Sequence, residues 1–223
     1  MQVSVVVPVY NAAGYVSAAV QSALVLPEVG EVILVEDASP DGSLLVCADL
    51  ADSNARVRLL RHDDGKNHGP GASRNLGIRS ARFDYIAFLD ADDFFLPDRF
   101  SVAGALFEGD PEIDGVYEAI GTYFEDDAAK RRWRETYGDR LLTTMTEQVH
   151  PDLLFESMFP IGSRGYWSLD GWTVKRTLFD KTGLFDEHLR LHQDTAICVK
   201  AAAGAKMLPG RLDTPVAMRR VHS

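Results

Sequence analysis

Hydrophobic positions in the first hundred residues fall into short runs separated by segments of helical spacing. Val3-Ser4-Val5-Val6-Val7-Pro8-Val9, Glu31-Val32-Ile33-Leu34-Val35 and Tyr85-Ile86-Ala87-Phe88-Leu89 are brief, almost continuously apolar and rich in branched residues. Runs of this kind suit strands buried on both faces. Pro8 is expected to end the ladder of the first. Between them, Val16, Ala19, Val20, Ala23 and Leu24 have the spacing of an amphipathic helix closed by Pro27, and a second helix is predicted from about Ser43 to Asp52. Val57-Arg58-Leu59-Leu60 reads as another strand, and the breaker cluster Asn67-His68-Gly69-Pro70-Gly71 precedes a helix over Ala72 to Ser80. Strand, helix, strand, helix, strand with short connections predicts right-handed crossovers and a mostly parallel central sheet flanked by helices, an α/β fold. A helix from about Arg99 to Phe107 and a strand over Gly115 to Phe124 follow; beyond them the periodicity weakens.

The strands end in polar residues: Tyr10-Asn11, Glu36-Asp37 and Asp90-Ala91-Asp92-Asp93. In a parallel sheet these ends share one edge, where ligands of α/β proteins bind. If the chain stays extended past Leu89, Asp90 and Asp92 point the same way, with Asp93 beside them. Converging carboxylates raise one another's pKa unless a cation lies between them, and hard oxygen donors suit a divalent ion. The plain alternative is a solvated acidic turn.

Length and charge narrow the classes. The 223 residues suffice for one large core, and we read one domain over 1–223, divided into two halves, 1–115 and 116–223. No apolar run approaches the roughly 20 residues that span a bilayer, and the first strand begins almost at Met1, without the charged leader of a signal peptide. A cytoplasmic location is expected; peripheral membrane association and the oligomeric state stay open. The net charge of -10 argues against nucleic acid as a partner. Cys47 and Cys198 lack metal-ligand spacing and read as buried, reduced residues.

Four blocks in this order carry a resemblance: Val5-Val6-Val7-Pro8-Val9-Tyr10-Asn11, Val35 to Ser43, Gly69 to Gly77 with its Ser73-Arg74-Asn75, and Asp90-Ala91-Asp92-Asp93. Together they resemble the family 2 glycosyltransferases of the GT-A fold, densely over residues 1 to about 100. The resemblance implies a nucleotide-sugar donor pocket in which Pro8, Tyr10 and Asp37 line the base site, Asp37 accepting from a pyrimidine ring. Asn11, Arg74 and Ala91 belong to the same donor site. Asp90 would meet the ribose or the metal, and Asp92 would hold the Mn2+ or Mg2+ that bridges the diphosphate. From the residues alone, Tyr10 reads equally as a packed strand-end aromatic and Asp37 as a turn cap for Ser39 and Gly42. Arg74, one turn into a helix after a glycine-rich loop, suits an anion; its alternative is an exposed pair with Asp63 or Asp64.

The second half supplies further candidates. Thr182-Gly183-Leu184-Phe185-Asp186-Glu187, followed by Gln193-Asp194 at a helix start, resembles the segment from which the family draws its catalytic base, here Asp194. By position alone Asp194 would serve as an N-cap. Gln193 stands where the family more often has Glu, and with His192 it is a candidate acceptor contact. Trp172 is another, because sugar rings stack on aromatics; a packed core position is its alternative. Arg220-Val221-His222 resembles the closing strand, with His222 a potential metal or diphosphate ligand. The resemblance implies a metal-dependent, inverting transfer from a nucleotide-diphosphate sugar, most naturally a UDP-sugar, to a hydroxyl of a saccharide or lipid-linked acceptor. A sugar nucleotidyltransferase would instead want a basic glycine-rich loop where Tyr10-Asn11-Ala12-Ala13-Gly14 stands. A nucleotide-sugar-binding but inactive subunit is the non-enzymatic alternative.

Overall fold

The computed structural model describes residues 1–222. In chain order its elements are β1 (Val3–Val9), α1 (Val16–Leu24), β2 (Val29–Glu36), α2 (Ser43–Ser53), β3 (Val57–Arg61), α3 (Pro70–Ser80), β4 (Tyr85–Phe88), β5 (Phe94–Phe95) and α4 (Ser101–Gly109). There follow β6 (Gly115–Tyr117), β7 (Ile120–Phe124), α5 (Asp127–Tyr137), α6 (Pro151–Ser157), a 3-10 turn (Leu169–Gly171), β8 (Trp172–Lys175), α7 (Leu178–Thr182), α8 (Gln193–Gly204), β9 (Met207–Pro209) and β10 (Ala217–Val221).

Seven strands form the main sheet in the order β3-β2-β1-β4-β8-β6-β9. The pairs β3–β2, β2–β1, β1–β4 and β6–β9 are parallel, and β8 runs antiparallel to both of its neighbours. The strands of β1 are read on both faces, as their apolar runs require. Val3, Val5, Val7 and Val9 pack under α1 with Val16, Val20 and Ala23, while Val6, Ile33, Val35 and Phe88 pack on the opposite face with Ile78 of α3. Gly77 lets α3 approach closely, since a Cβ there would overlap the Val6 side chain. Both cysteines are buried and free, and burial pushes the Cys47 thiol up to about 12.

Two expectations change. Pro8 does not end β1, whose pairing with β2 continues to Val9 opposite Glu36. The Val6 carbonyl accepts from Leu89 and the Val9 carbonyl from Asp37, so Val6 and Pro8 address β4 while Val9 addresses β2. Pairing with β4 stops at Phe88, and the N–H that Pro8 lacks is not missed. The predicted strand over Gly115 to Phe124 divides into β6 and β7 at Glu118-Ala119, because β7 leaves the main sheet for a second one ordered β5-β10-β7. Glu118 at the break is buried against Arg99. The helix predicted from Arg99 begins two residues later, leaving Arg99 free to make that pair.

Candidate active site

Between β1 and β4 the strand order reverses, with β2 on one side of β1 and β4 on the other. Such a switch point opens a crevice in a doubly wound sheet. A cleft of about 710 Å3 lies there. Pro8, Tyr10 and Asn11 line it from the end of β1, Asp37 from β2, Arg74 from α3, and Asp90, Ala91 and Asp92 from the end of β4. Gln193, Asp194 and His222 line it from the second half of the chain.

On the β2 side Asp37 is 2% exposed. Its two carboxylate oxygens accept from the backbone N–H groups of His68 and Gly69, each at 2.8 Å, and its carbonyl accepts from Asn67 Nδ2 at 2.9 Å. It therefore holds the 67–69 loop that leads into α3. The turn-cap alternative is wrong in detail: Glu36 accepts from Ser39, and Asp41 accepts from Ser43. Tyr10 is 54% exposed at the mouth and is not a packed strand-end aromatic.

The carboxylates do not follow an extended chain. Asp93 N–H donates to the Asp90 carbonyl at 3.0 Å, closing a turn, so the period-two alternation breaks after Asp90. Arg74 Nη2 donates to Asp90 Oδ1 at 2.6 Å, and Arg74 is paired there rather than with Asp63 or Asp64. Asp92 Oδ2 lies 3.2 Å from His222 Nε2. Asp93 is buried, with oxygen atoms of Asp90, Asp93 and Asp170 within 4.8 Å of one another. Burial, followed by the neighbouring negative charge, pushes both Asp93 and Asp170 above the ordinary carboxylate range.

Asp170 was not foreseen from sequence. Its Oδ1 accepts from the Asp90 N–H at 2.9 Å, and its Oδ2 is buried without a hydrogen-bond partner among the described residues. Arg99 anchors it from below, donating from Nε to the Asp170 carbonyl at 3.0 Å and from Nη1 to Glu118 and Thr173. Burial pulls Arg99 down to about 10 and pushes Glu118 up. Gly171 is required by crowding, because a Cβ would strike the Glu118 carbonyl. No local signal marks Asp170 in the sequence; only the antiparallel entry of β8 beside β4 brings it under the site.

Opposite the carboxylate turn, Asn75 clamps the segment that carries the predicted base. Its Oδ1 accepts from Phe185 N–H, and its Nδ2 donates to the Phe185 carbonyl and to Glu187 at 2.8 Å. Asp194 is the second residue of α8 and exposed; its carboxylate accepts from Thr195 N–H at 2.7 Å. The cap position itself belongs to His192, in the left-handed region at φ 63, so Asp194 is not the N-cap. His192 is exposed and does not line the cleft. Arg190, which sequence reasoning passed over, does line it. Trp172 is a correction: it is fully buried against Phe88 and Phe179 and reaches no acceptor. Trp167 is likewise buried, stacked on Tyr117.

The donor set fits a divalent cation. Asp92 and His222 offer a carboxylate oxygen and an imidazole nitrogen 3.2 Å apart, Asp90 lines the same cleft with its carboxylate grouped with Asp93 and Asp170, and Mn2+ accepts both donor types, with Mg2+ favouring the oxygens.

Comparison with known proteins places the chain. The sequence profile described as glycosyl transferase family 2 matches residues 4–160. An uncharacterized glycosyltransferase of Bacillus subtilis, EpsJ, is 30% identical over 214 residues, covering 92% of this chain and 58% of that protein. The succinoglycan biosynthesis protein ExoO of Rhizobium meliloti is 33% identical over 210 residues, 90% and 56% of the two chains. The chain thus spans a little over half the length of these relatives. Among solved structures, Staphylococcus aureus TarS (residues 1–349, in complex with UDP) superposes with a TM-score of 0.72 at 21% identity over 99% of this chain and 61% of that one. A Pyrobaculum calidifontis mannosyltransferase in complex with GDP-Man and Mn2+ gives 0.64 at 16% identity, covering 96% and 57%. With its mostly parallel sheet flanked by helices, its cleft at the switch point and a profile match over more than half its length, this chain belongs to glycosyl transferase family 2 and has the GT-A fold.

Proposed function

We propose that the chain is an inverting, metal-dependent transferase that moves a sugar from a UDP-sugar to a hydroxyl of a saccharide or lipid-linked acceptor. The observation that carries this reading is that one cleft is lined both by Asp90, Asp92 and His222 and by Asp194. A donor needs the first group for its diphosphate, and an acceptor needs the second for its proton. TarS has been solved with UDP and with UDP-GlcNAc, which favours uridine over the guanosine of the mannosyltransferase complex. In this reading residues 1–115 hold the donor and 116–223 supply the acceptor side, as parts of one catalytic unit.

Each residue then has a task. Pro8, Tyr10 and Asn11 flank the base, Asp37 keeps the 67–69 loop in place against it, and Ala91 borders the ribose. Arg74 offers a guanidinium to the diphosphate and meanwhile aims the Asp90 carboxylate. Asp90, Asp92 and His222 would hold Mn2+ or Mg2+, which when bound acts as a Lewis acid on the leaving diphosphate. Asp194 takes the proton from the acceptor hydroxyl as its oxygen attacks the anomeric carbon opposite the leaving group, and this single displacement inverts the configuration. Gln193 is placed to contact the acceptor beside it.

The test is turnover of a panel of UDP-, GDP- and dTDP-sugars with and without EDTA, with the anomeric configuration of the product read by NMR. Mn2+-dependent release of UDP with inversion is expected. Equal turnover in EDTA, or a retained anomer, would overturn the proposal.

A further inference from the structure

A side chain bonded to the carboxylate turn from outside the cleft lining is left without a task by the donor and acceptor roles. Arg220, on β10, donates from its backbone N–H to Asp93 Oδ1 at 2.7 Å and from Nε to the Asp92 carbonyl at 2.8 Å. Its Nη1 donates to Glu125 at 3.2 Å. The guanidinium carbon lies 5.4 to 5.5 Å from the ring centroids of Tyr15, Phe94 and Tyr123, within the range of cation–π attraction. Four parts of the chain meet on this one group: the entry to α1, the carboxylate turn, the end of β7 and β10 itself. Two residues along the strand, and so on the same face, His222 stacks on Tyr15 with ring centroids 4.7 Å apart and reaches Asp92 Oδ2.

We propose that Arg220 is the positioning residue of the carboxylate turn, acting through Asp92 and Asp93 on the cation and diphosphate that Asp92 receives. This rests on the metal-dependent reading above. Asp92 has a half-exposed carboxylate at the tip of a turn, and nothing in the turn's own backbone holds its carbonyl. Arg220 fixes that carbonyl while its main chain fixes Asp93, so both residues after Ala91 are held from one strand. The planar guanidinium makes this geometry specific. Nε faces Asp92 while Nη1 faces Glu125 and the faces lie against rings, a combination that the one nitrogen of Lys cannot reproduce. Removing a side chain that orients a metal's ligand typically changes metal affinity 10- to 100-fold.

The experiment compares the parent protein with Arg220→Lys and Arg220→Gln. UDP binding is measured by calorimetry with and without Mn2+, free Mn2+ by EPR in the presence of UDP, uridine binding as a measure of the base site, and melting temperature. We expect both variants to keep uridine affinity within about twofold while the Mn2+ enhancement of UDP binding falls roughly tenfold or more. Lys should hold the melting temperature close to the parent, because it keeps a cation among the rings. A purely structural role predicts instead that uridine affinity and melting temperature fall together with the Mn2+ effect, and that Lys rescues all three; that pattern overturns the proposal. So does an undiminished Mn2+ enhancement in folded Arg220→Gln. If the parent itself shows no enhancement, the metal-dependent reading falls first and this proposal with it.

Discussion

Removing the Asp37 carboxylate should disturb the base side of the cleft more than its distance from the chemistry suggests. Asp37→Ala leaves two N–H groups, those of His68 and the buried Gly69, without the charged acceptor each meets at 2.8 Å. A hydrogen bond to a charged group contributes about 1.5 to 3 kcal/mol. With some water reaching His68, which is exposed, the two together come to about 3 kcal/mol. For a chain of this length that is a fall in melting temperature of roughly 6 to 12 °C. Asp37→Asn should fare little better, since its amide N–H would face one of the two backbone donors. The same loop walls the cleft, so UDP affinity should fall by about 1 to 3 kcal/mol, roughly 5- to 150-fold. Comparing UDP with ADP separates two roles. An ionised carboxylate has about four lone-pair sites, so Asp37 has capacity left for a pyrimidine N–H as well as the loop. If it makes that contact, the variants lose the preference for UDP over ADP; if it only clamps the loop, both ligands weaken equally. Calorimetric binding and differential scanning calorimetry on all three proteins decide it. A melting temperature within about a degree of the parent, with UDP affinity unchanged, would refute the loop-clamp argument.

Asp194→Asn should lower turnover 10²- to 10⁴-fold while leaving UDP affinity and melting temperature near the parent values, because the side chain is exposed and bonds only its neighbour's N–H; steady-state kinetics with calorimetry check this, and an active variant would move the base elsewhere. In metal-free protein the raised pKa values of Asp93 and Asp170 mean that the folded state holds a proton which unfolded carboxylates release above about pH 4. This pair therefore contributes stability that is fully present below about pH 4 and is lost as pH rises through neutrality, opposite in sign to the carboxylates held down by their partners, such as Glu31 and Glu187. Asp93→Asn, able to accept from Arg220 and donate to Asp170, should flatten that decline in melts run in EDTA between pH 5 and 8, and a flat parent profile would contradict it. Trp172→Ala should cost about 3 to 5 kcal/mol by chemical denaturation, the penalty of emptying a core position, whereas an acceptor contact would have shown itself in KM alone.

The parallel half of the sheet was legible because its strands are apolar on both faces and alternate with segments of helical spacing, and the shared edge of the strand ends followed from the parallel arrangement; the switch point itself came only with the strand order. Pro8, Tyr10, Asn11, Asp37, Arg74, Asp90, Ala91 and Asp92 all reach the cleft for that reason. Asp194 and His222 reach it too, although only the resemblance singled them out. What escaped was everything that depends on pairing at long range. Asp170 enters through an antiparallel strand 80 residues after Asp90, and Arg220 through a second sheet that no periodicity announces. The Asp90–Asp92 alternation failed because a turn bond at Asp93 is local geometry that a run of acidic residues does not encode. Trp172 misled for a different reason: an aromatic beside a glycine looks like a ligand platform, but Gly171 is small to admit the Glu118 backbone, not a sugar.

The dependence of the carboxylate turn on β10 has a consequence for the order in which this molecule becomes functional. Asp92 and Asp93 are gripped by residues more than 120 positions later in the chain, and closing so long a loop is slow relative to forming the local β–α–β units. As a ribosome delivers the chain, the parallel strands β1 to β4 can assemble well before β10 is available. The carboxylate turn is then completed only after β10 has emerged, so a chain stalled before β10 would carry the β1, β2 and β4 edge of the cleft without the grip on Asp92 and Asp93.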